Sequence, residues 1–284
     1  MVSSTLSALL FRWWYFTASG GGKSSSAEFI FLTIGIIILL MALYYTLTRV
    51  LERRSLPVKK TVKLTESLST VHKSILSERF DYYNKLSVSD KELFEKKVRH
   101  YMLSKMFTSE DGYAVTEEMK VMISASASQI TFGLTDTANT NFTHILIMPN
   151  ASMTPRSASR NTIVVPWREF VEGYKHSDDG QNEGLKVMAS AVVKDNRLQD
   201  KAFKLFPAKK YENWEKVSLQ EAGNFMSGMF ENMAQDDRVR DEYFAMAVVY
   251  FFELPIAFKQ KYTALYDAMS LLLGQDTAKK MGRK

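Results

Sequence analysis

Residues Thr143 to Trp167 read THILIMPNASMTPRSASRNTIVVPW, and this stretch decides the fold class. It holds two short apolar runs, THILIM at 143–148 and TIVV at 162–165, each closed by a proline, Pro149 and Pro166. Both are rich in β-branched residues and bounded by turn-forming ones, so they read as strands. The Ser-, Thr-, Asn- and Pro-rich connection between them reads as a loop that lets them pair. The rest of the chain has helical spacing. The fold class is therefore α+β: a mostly helical domain with a small β-sheet.

Working outward, a helix starts near Ser89, where Ser89 and Glu92 form a capping box ahead of Leu93, Phe94, Val98, Tyr101 and Met102. A second follows Thr116, carries Met119, Val121, Met122, Ile123, Ile130 and Phe132, and stops at Gly133. Its small residues at 124–128 allow close helix packing. Beyond the strands, 167–174 is a short helix, and the polar loop HSDDGQNEG leads into a helix over 185–206. Ser218 with Glu221 caps another. The last helices cover 239–253 and 256–273, separated by Leu254-Pro255.

Upstream, the run from Phe29 to Leu47 reads FIFLTIGIIILLMALYYTL and carries no charge. At 1.5 Å rise per residue it is long enough for a hydrocarbon core of roughly 30 Å. A charge at mid-membrane costs about 3 kcal/mol, which lipid excludes and this run avoids. Tyr44 and Tyr45 fall where aromatic rings favour the headgroups. Tyrosines and then Arg49, Arg53 and Arg54 follow, rather than a small-residue cleavage site, so a retained span at 29–48 is expected instead of a signal peptide. Basic residues are denser after the run, including Lys59, Lys60 and Lys63, than before it, where Arg12 and Lys23 stand. That bias places the N-terminus outside and the C-terminal domain in the cytoplasm of an inner or plasma membrane. Residues 1–28 form the outer segment, with aromatic LLFRWWYF at 9–16 and a flexible ASGGGKSSSA linker. GGGKS lacks the first glycine spacing of a phosphate loop and follows no strand. Residues 49–86 read as a basic connector that includes an amphipathic helix around 64–80, 87–275 as the main domain and 276–284 as a basic tail.

The balance is 37 basic to 31 acidic residues, and the cluster after the span accounts for much of the excess. Such a cluster suits anionic lipid. Nucleic acid is not an expected partner, because elsewhere basic residues are mixed with acidic ones and no basic stripe alternates with aromatics. There are no cysteines, which removes disulfides, thiolate metal sites and cysteine nucleophiles.

Five segments, VTEEMKVMISASASQITFGL (115–134), HILIMPNA (144–151), IVVPWREFVEGY (163–174), DDGQNEGLKVM (178–188) and DEYFAMAVVYFFELP (241–255), resemble in order and spacing the zinc-dependent peptidase family of Mlc titration factor A. The resemblance spans about 86–273 and implies a zincin-like fold. It also implies an H-E-x-x-H helix after the D-G-x-N loop and a glutamate ligand in the C-terminal segment. Two histidines at i and i+4 would reach one metal from one helical face, and the glutamate between them would activate its water. Aligned on the loop, this chain has Ala189-Ser190-Ala191-Val192-Val193 instead: Ala189 and Val193 at the histidine positions and Ser190 at that of the base. None of the four histidines, His72, His100, His144 and His176, has a partner at i+4. Glu242 occupies the position of the C-terminal ligand, either as a remnant neutralised by a nearby Lys or Arg or as a contact for a partner. Asp195, next to Lys194, reads as solvated. His144 reads as a packed strand residue. There is no G-x-S-x-G elbow.

These readings give a membrane-anchored, catalytically inactive peptidase-like protein. It is expected to take no zinc, to touch lipid and to bind a protein or peptide as a scaffold. Two alternatives are an active membrane-bound peptidase with a non-standard zinc site, and a structural subunit of a membrane complex.

Overall fold

The computed structural model describes residues 35–46, 67–110, 112–134, 141–159, 161–199, 204–225, 234 and 236–281. The chain divides into two compact units, Met1–Thr61 and Val62–Lys284. In the first unit residues 35–46 are helical and every one is exposed. The ends of the apolar run, 29–34 and 47–48, lie outside the described residues, as do the aromatic segment, the GGGKS linker and the basic cluster at 49–63. Among the described residues no helix is long and apolar enough to cross a membrane.

The second unit is α+β and mostly helical. In chain order it contains α1 (Thr70–Arg79), α2 (Asp81–Asn84), α3 (Val88–Ser104), β1 (Met106–Ser109), α4 (Glu117–Ile130), β2 (His144–Met148) and β3 (Thr162–Pro166). It continues with α5 (Trp167–Lys175), α6 (Glu183–Leu198), α7 (Ala208–Glu221), α8 (Asp237–Glu253), α9 (Pro255–Lys261), α10 (Thr263–Leu273) and α11 (Thr277–Met281). The sheet has three strands in the order β1-β2-β3, and both pairings are parallel, with Met106 opposite His144 and Ile145 opposite Ile163. The two strands read from sequence do pair, and a third, β1, joins them. Its MFTS lacks an apolar alternation and is half-exposed at the edge, so it carries no periodic signal. In the middle strand Ile145, Leu146, Ile147 and Met148 are all buried, as a strand covered on both faces requires. β3 alternates and runs straight into α5.

Several helix starts and ends differ from the sequence reading. α3 is capped by Ser87, whose hydroxyl accepts from the Asp90 N–H at 3.2 Å, so the predicted Ser89 cap lies inside the helix. Ser218 does not cap a helix either. It lies buried within α7, and its hydroxyl donates to the Glu215 carbonyl oxygen. α6 ends at Leu198 rather than near 206. The stretch 256–273 is two helices, broken at Tyr262. Thr116 does cap α4, accepting from the Met119 N–H.

The reading of 49–86 as a connector also changes over its second half. Leu68, Leu76, Phe80, Tyr83 and Leu86 are core residues. Buried Glu95 of α3 accepts hydrogen bonds from Tyr83 at 2.7 Å and Ser67 at 2.9 Å and pairs with Lys73 at 2.7 Å. A buried carboxylate is tolerable only with such partners, and here they lock α1 and α2 onto α3.

At the far end of α4, buried Lys97 donates to the carbonyl oxygens of Thr131 and Leu134, placing a cation at that helix's C-terminus. There the backbone at Gly133 meets Gly274, the left-handed residue that ends α10. A Cβ on Gly133 would lie 2.3 Å from the Gly274 carbonyl oxygen and 2.4 Å from that of Leu273. Neither obstacle is a flexible side chain. Gly133→Ala is therefore expected to lower stability by about 2 kcal/mol or more, read as a fall in the urea midpoint at unchanged slope.

Candidate functional site

The candidate site is built on two helices packed against each other, α6 and α8. α6 begins after the DDGQN loop. Asn182 caps it, its side-chain oxygen accepting from the Leu185 N–H at 2.8 Å. The amide of the same side chain donates to Glu253, the last residue of α8, at 2.9 Å. Glu253 also accepts from the Gly180 N–H at 3.1 Å, where the backbone takes the left-handed φ of 74°. One carboxylate thus fixes both the loop and the cap of the helix that follows it.

At its other end α6 is held by Arg197. Its guanidinium forms a two-pronged pair with Asp241, at 2.5 and 2.7 Å, and lies 3.4 Å from Asp237. Burial pushes the Asp241 carboxyl up, and Arg197 pulls it back down. Asp195, one turn from Ala191, is buried rather than solvated, because it faces inward to the 141 loop. It accepts from the Asn141 N–H and from the Gln199 amide. Burial raises its carboxyl, and those hydrogen bonds oppose the shift.

Between these ends lies the face singled out from sequence. Ala189 and Val193 belong to the buried core, at 0% and 3% exposure. Ser190 is half-buried and Glu242 is exposed. The residue of α6 that meets Glu242 is Lys186, whose ammonium is 3.5 Å from its carboxylate and 3.9 Å from that of Glu183. Burial raises the Glu183 carboxyl. Lys186 draws it down, while the charges of Glu242 and Glu169 push it up. Lys186 therefore sits among carboxylates as their cation. Ser190 follows it by four residues, so the two share one helical face. Neither Ala189 nor Val193 can donate a lone pair to a metal, and a lysine ammonium offers donors only. Among the described residues no group of three or more His, Cys, Asp or Glu side chains could hold a metal ion. His144 is half-buried, its Nδ1 2.9 Å from the Thr143 hydroxyl.

Sequence reasoning missed Lys186 and Glu253. Glu183 and Lys186, three apart on a helix, were a legible charge pair. Glu253 follows two phenylalanines and precedes Leu-Pro, an acid embedded in an apolar helix end, and that setting signals burial.

Residues 56–272 match the family model Peptidase_M90, the glucose-regulated metallo-peptidase M90. No curated protein matches the chain.

Glu253 sets a pH dependence. Burial, with the charges of Asp179 and Asp178, raises its carboxyl from an ordinary 4.5 to about 7, against the hydrogen bonds from Asn182 and Gly180. The folded chain therefore holds a proton that the unfolded chain has already lost between about pH 4.5 and 7. The contribution is full below that window and lost as pH rises through it. Comparing urea midpoints of the wild type and Glu253→Gln across pH 4–8 should show the wild type losing stability relative to the variant as pH rises.

Proposed function

The chain belongs to the glucose-regulated metallo-peptidase M90 family, and from that premise we propose that it is a catalytically inactive member, held at a membrane, that works by binding a protein or peptide. The observation that carries this reading is Lys186, its ammonium 3.5 Å from Glu242. Glu242 stands where the family resemblance puts a zinc ligand. A positive side chain beside it neutralises the carboxylate and repels a divalent cation. The donor set does not fit zinc: one exposed carboxylate, one hydroxyl at Ser190 and two buried apolar side chains at Ala189 and Val193. No hydrolytic step follows from these residues. The helices that frame such a site remain, and a fold kept without its chemistry serves as a binding platform.

Membrane attachment rests on the run from Phe29 to Leu47. Its described part is a helix on which Ile36, Ile37, Ile38, Leu39 and Leu40 are each more than half exposed. A continuous apolar helical surface needs cover, and lipid is the cover its composition suits. The arginines after it, Arg49, Arg53 and Arg54, favour the cytoplasmic side, which would place the main unit there.

Full-length chain purified from zinc-supplemented cells is expected to carry well below one zinc per molecule and to leave casein uncut. One zinc per chain, lost in Glu242→Ala, would show instead an active peptidase with an unusual site. Attachment is checked separately: the chain should stay with the membrane pellet through alkaline carbonate, and chain without 29–48 should be released.

A further inference from the structure

Also at the α6 N-terminus, and lined by residues other than Lys186, lies an open cavity whose space, mouth included, is ≈ 670 Å³. Its walls are largely apolar: Tyr82, Leu86, Tyr174, Leu185 and Phe252. A buried acceptor also lines it. Glu253 is 5% exposed, and each of its oxygens accepts a single protein hydrogen bond, from Asn182 and from Gly180. A carboxylate oxygen has two lone pairs, so acceptor capacity is left on both.

We propose that this cavity is a binding site for a primary ammonium group on a short apolar stem, with Glu253 accepting its N–H donors and the aromatic walls covering the stem. An ammonium supplies three donors and one positive charge, which matches an ionisable carboxylate with acceptor capacity left on both oxygens. Aromatic faces add cation–π attraction. An anion would be repelled by the Glu253 carboxylate, and a neutral hydrocarbon would leave that acceptor capacity unused. The same chemistry is presented by a free alkylamine and by the amino terminus of a peptide.

The charged and titratable neighbours fit this. The approach from α2 presents Asp81, which accepts from Ser177 and is paired at 3.8 Å with Lys85, a wall residue whose charge it offsets. The loop presents Asp178 and Asp179, both of which raise the Glu253 carboxyl. Tyr174 of α5 donates to Ser126, Tyr82 donates to Gln275, and burial raises both phenols far above neutrality. The remaining wall groups from α4 and α11, Gln129 and Thr277, are neutral. Glu253 is therefore the group that changes charge near neutral pH, at about 7. An alkylammonium keeps its proton there.

The test is calorimetric titration of the full-length chain with n-butylammonium, with n-butanol as the uncharged match. Saturable butylammonium binding is expected, with butanol at least about tenfold weaker and affinity rising up to about tenfold from pH 6 to 8. Glu253→Gln should weaken binding by about tenfold or more. Ser177→Trp, a change at the half-buried mouth, should block binding while leaving the thermal midpoint in place, which separates blockade from misfolding. A tripeptide with a free amino terminus that binds, while its acetylated form does not, would assign the peptide source. Tripeptide silence beside butylammonium binding would assign the free amine. No saturable butylammonium binding up to about 10 mM, or equal binding by wild type and Glu253→Gln, overturns the proposal.

Discussion

The rest of the domain depends on the packing of α6 against α8, and that packing is held by charge at three places. Glu253 ties the loop and the N-cap of α6, Lys186 meets Glu242, and Arg197 grips Asp241. These contacts differ in weight. The Glu253 and Asp241 carboxylates are largely out of water, so removing a partner from either leaves a buried charge. The Lys186 and Glu242 heads are partly solvated, and such a pair contributes little stability. On the proposed reading, what it changes is the charge of the site: the carboxylate that a metal would use already has a cation.

This difference separates scaffold from chemistry in physical terms. The buried face of α6, with Leu185, Met188, Ala189, Val192 and Val193, packs into the core whether or not a metal is bound. Half-buried Lys186 and Ser190 line the other stripe, and side chains there can vary without cost to the fold. On the proposed reading the family's fold was retained because its core did not depend on the site. The cavity at Glu253 is lined by neither Lys186, Ser190 nor Glu242, so its proposed ligand does not use the residues of that site.

Much of the fold was legible in the sequence. The runs at 143–148 and 162–165 predicted β2 and β3, and Thr116 predicted the start of α4, because β-branched runs and caps are local signals. β1 was not legible, since MFTS is an edge strand without alternation. The Ser89 and Ser218 caps failed because Ser-x-x-Glu also occurs inside helices, where a hydroxyl can bond back to a carbonyl. Asp195 was misread because its partners, Asn141 and Gln199, are set by tertiary packing. That no histidine has a partner at i+4 was plain from sequence. Which stripe of α6 meets Glu242 was not, since Ala189 and Lys186 differ by less than one turn and only packing decides between them.

The central claim is that Lys186 and Ser190 line the former metal side of α6, with the lysine standing as its cation. Installing histidines tests it most directly, by zinc titration of full-length Lys186→His/Ser190→His against Ala189→His/Val193→His. The account predicts that the first pair gains zinc binding that is lost again on Glu242→Gln, while the second pair, forced into the core, destabilises the fold and gains none. Zinc binding by the second pair and not the first would contradict it.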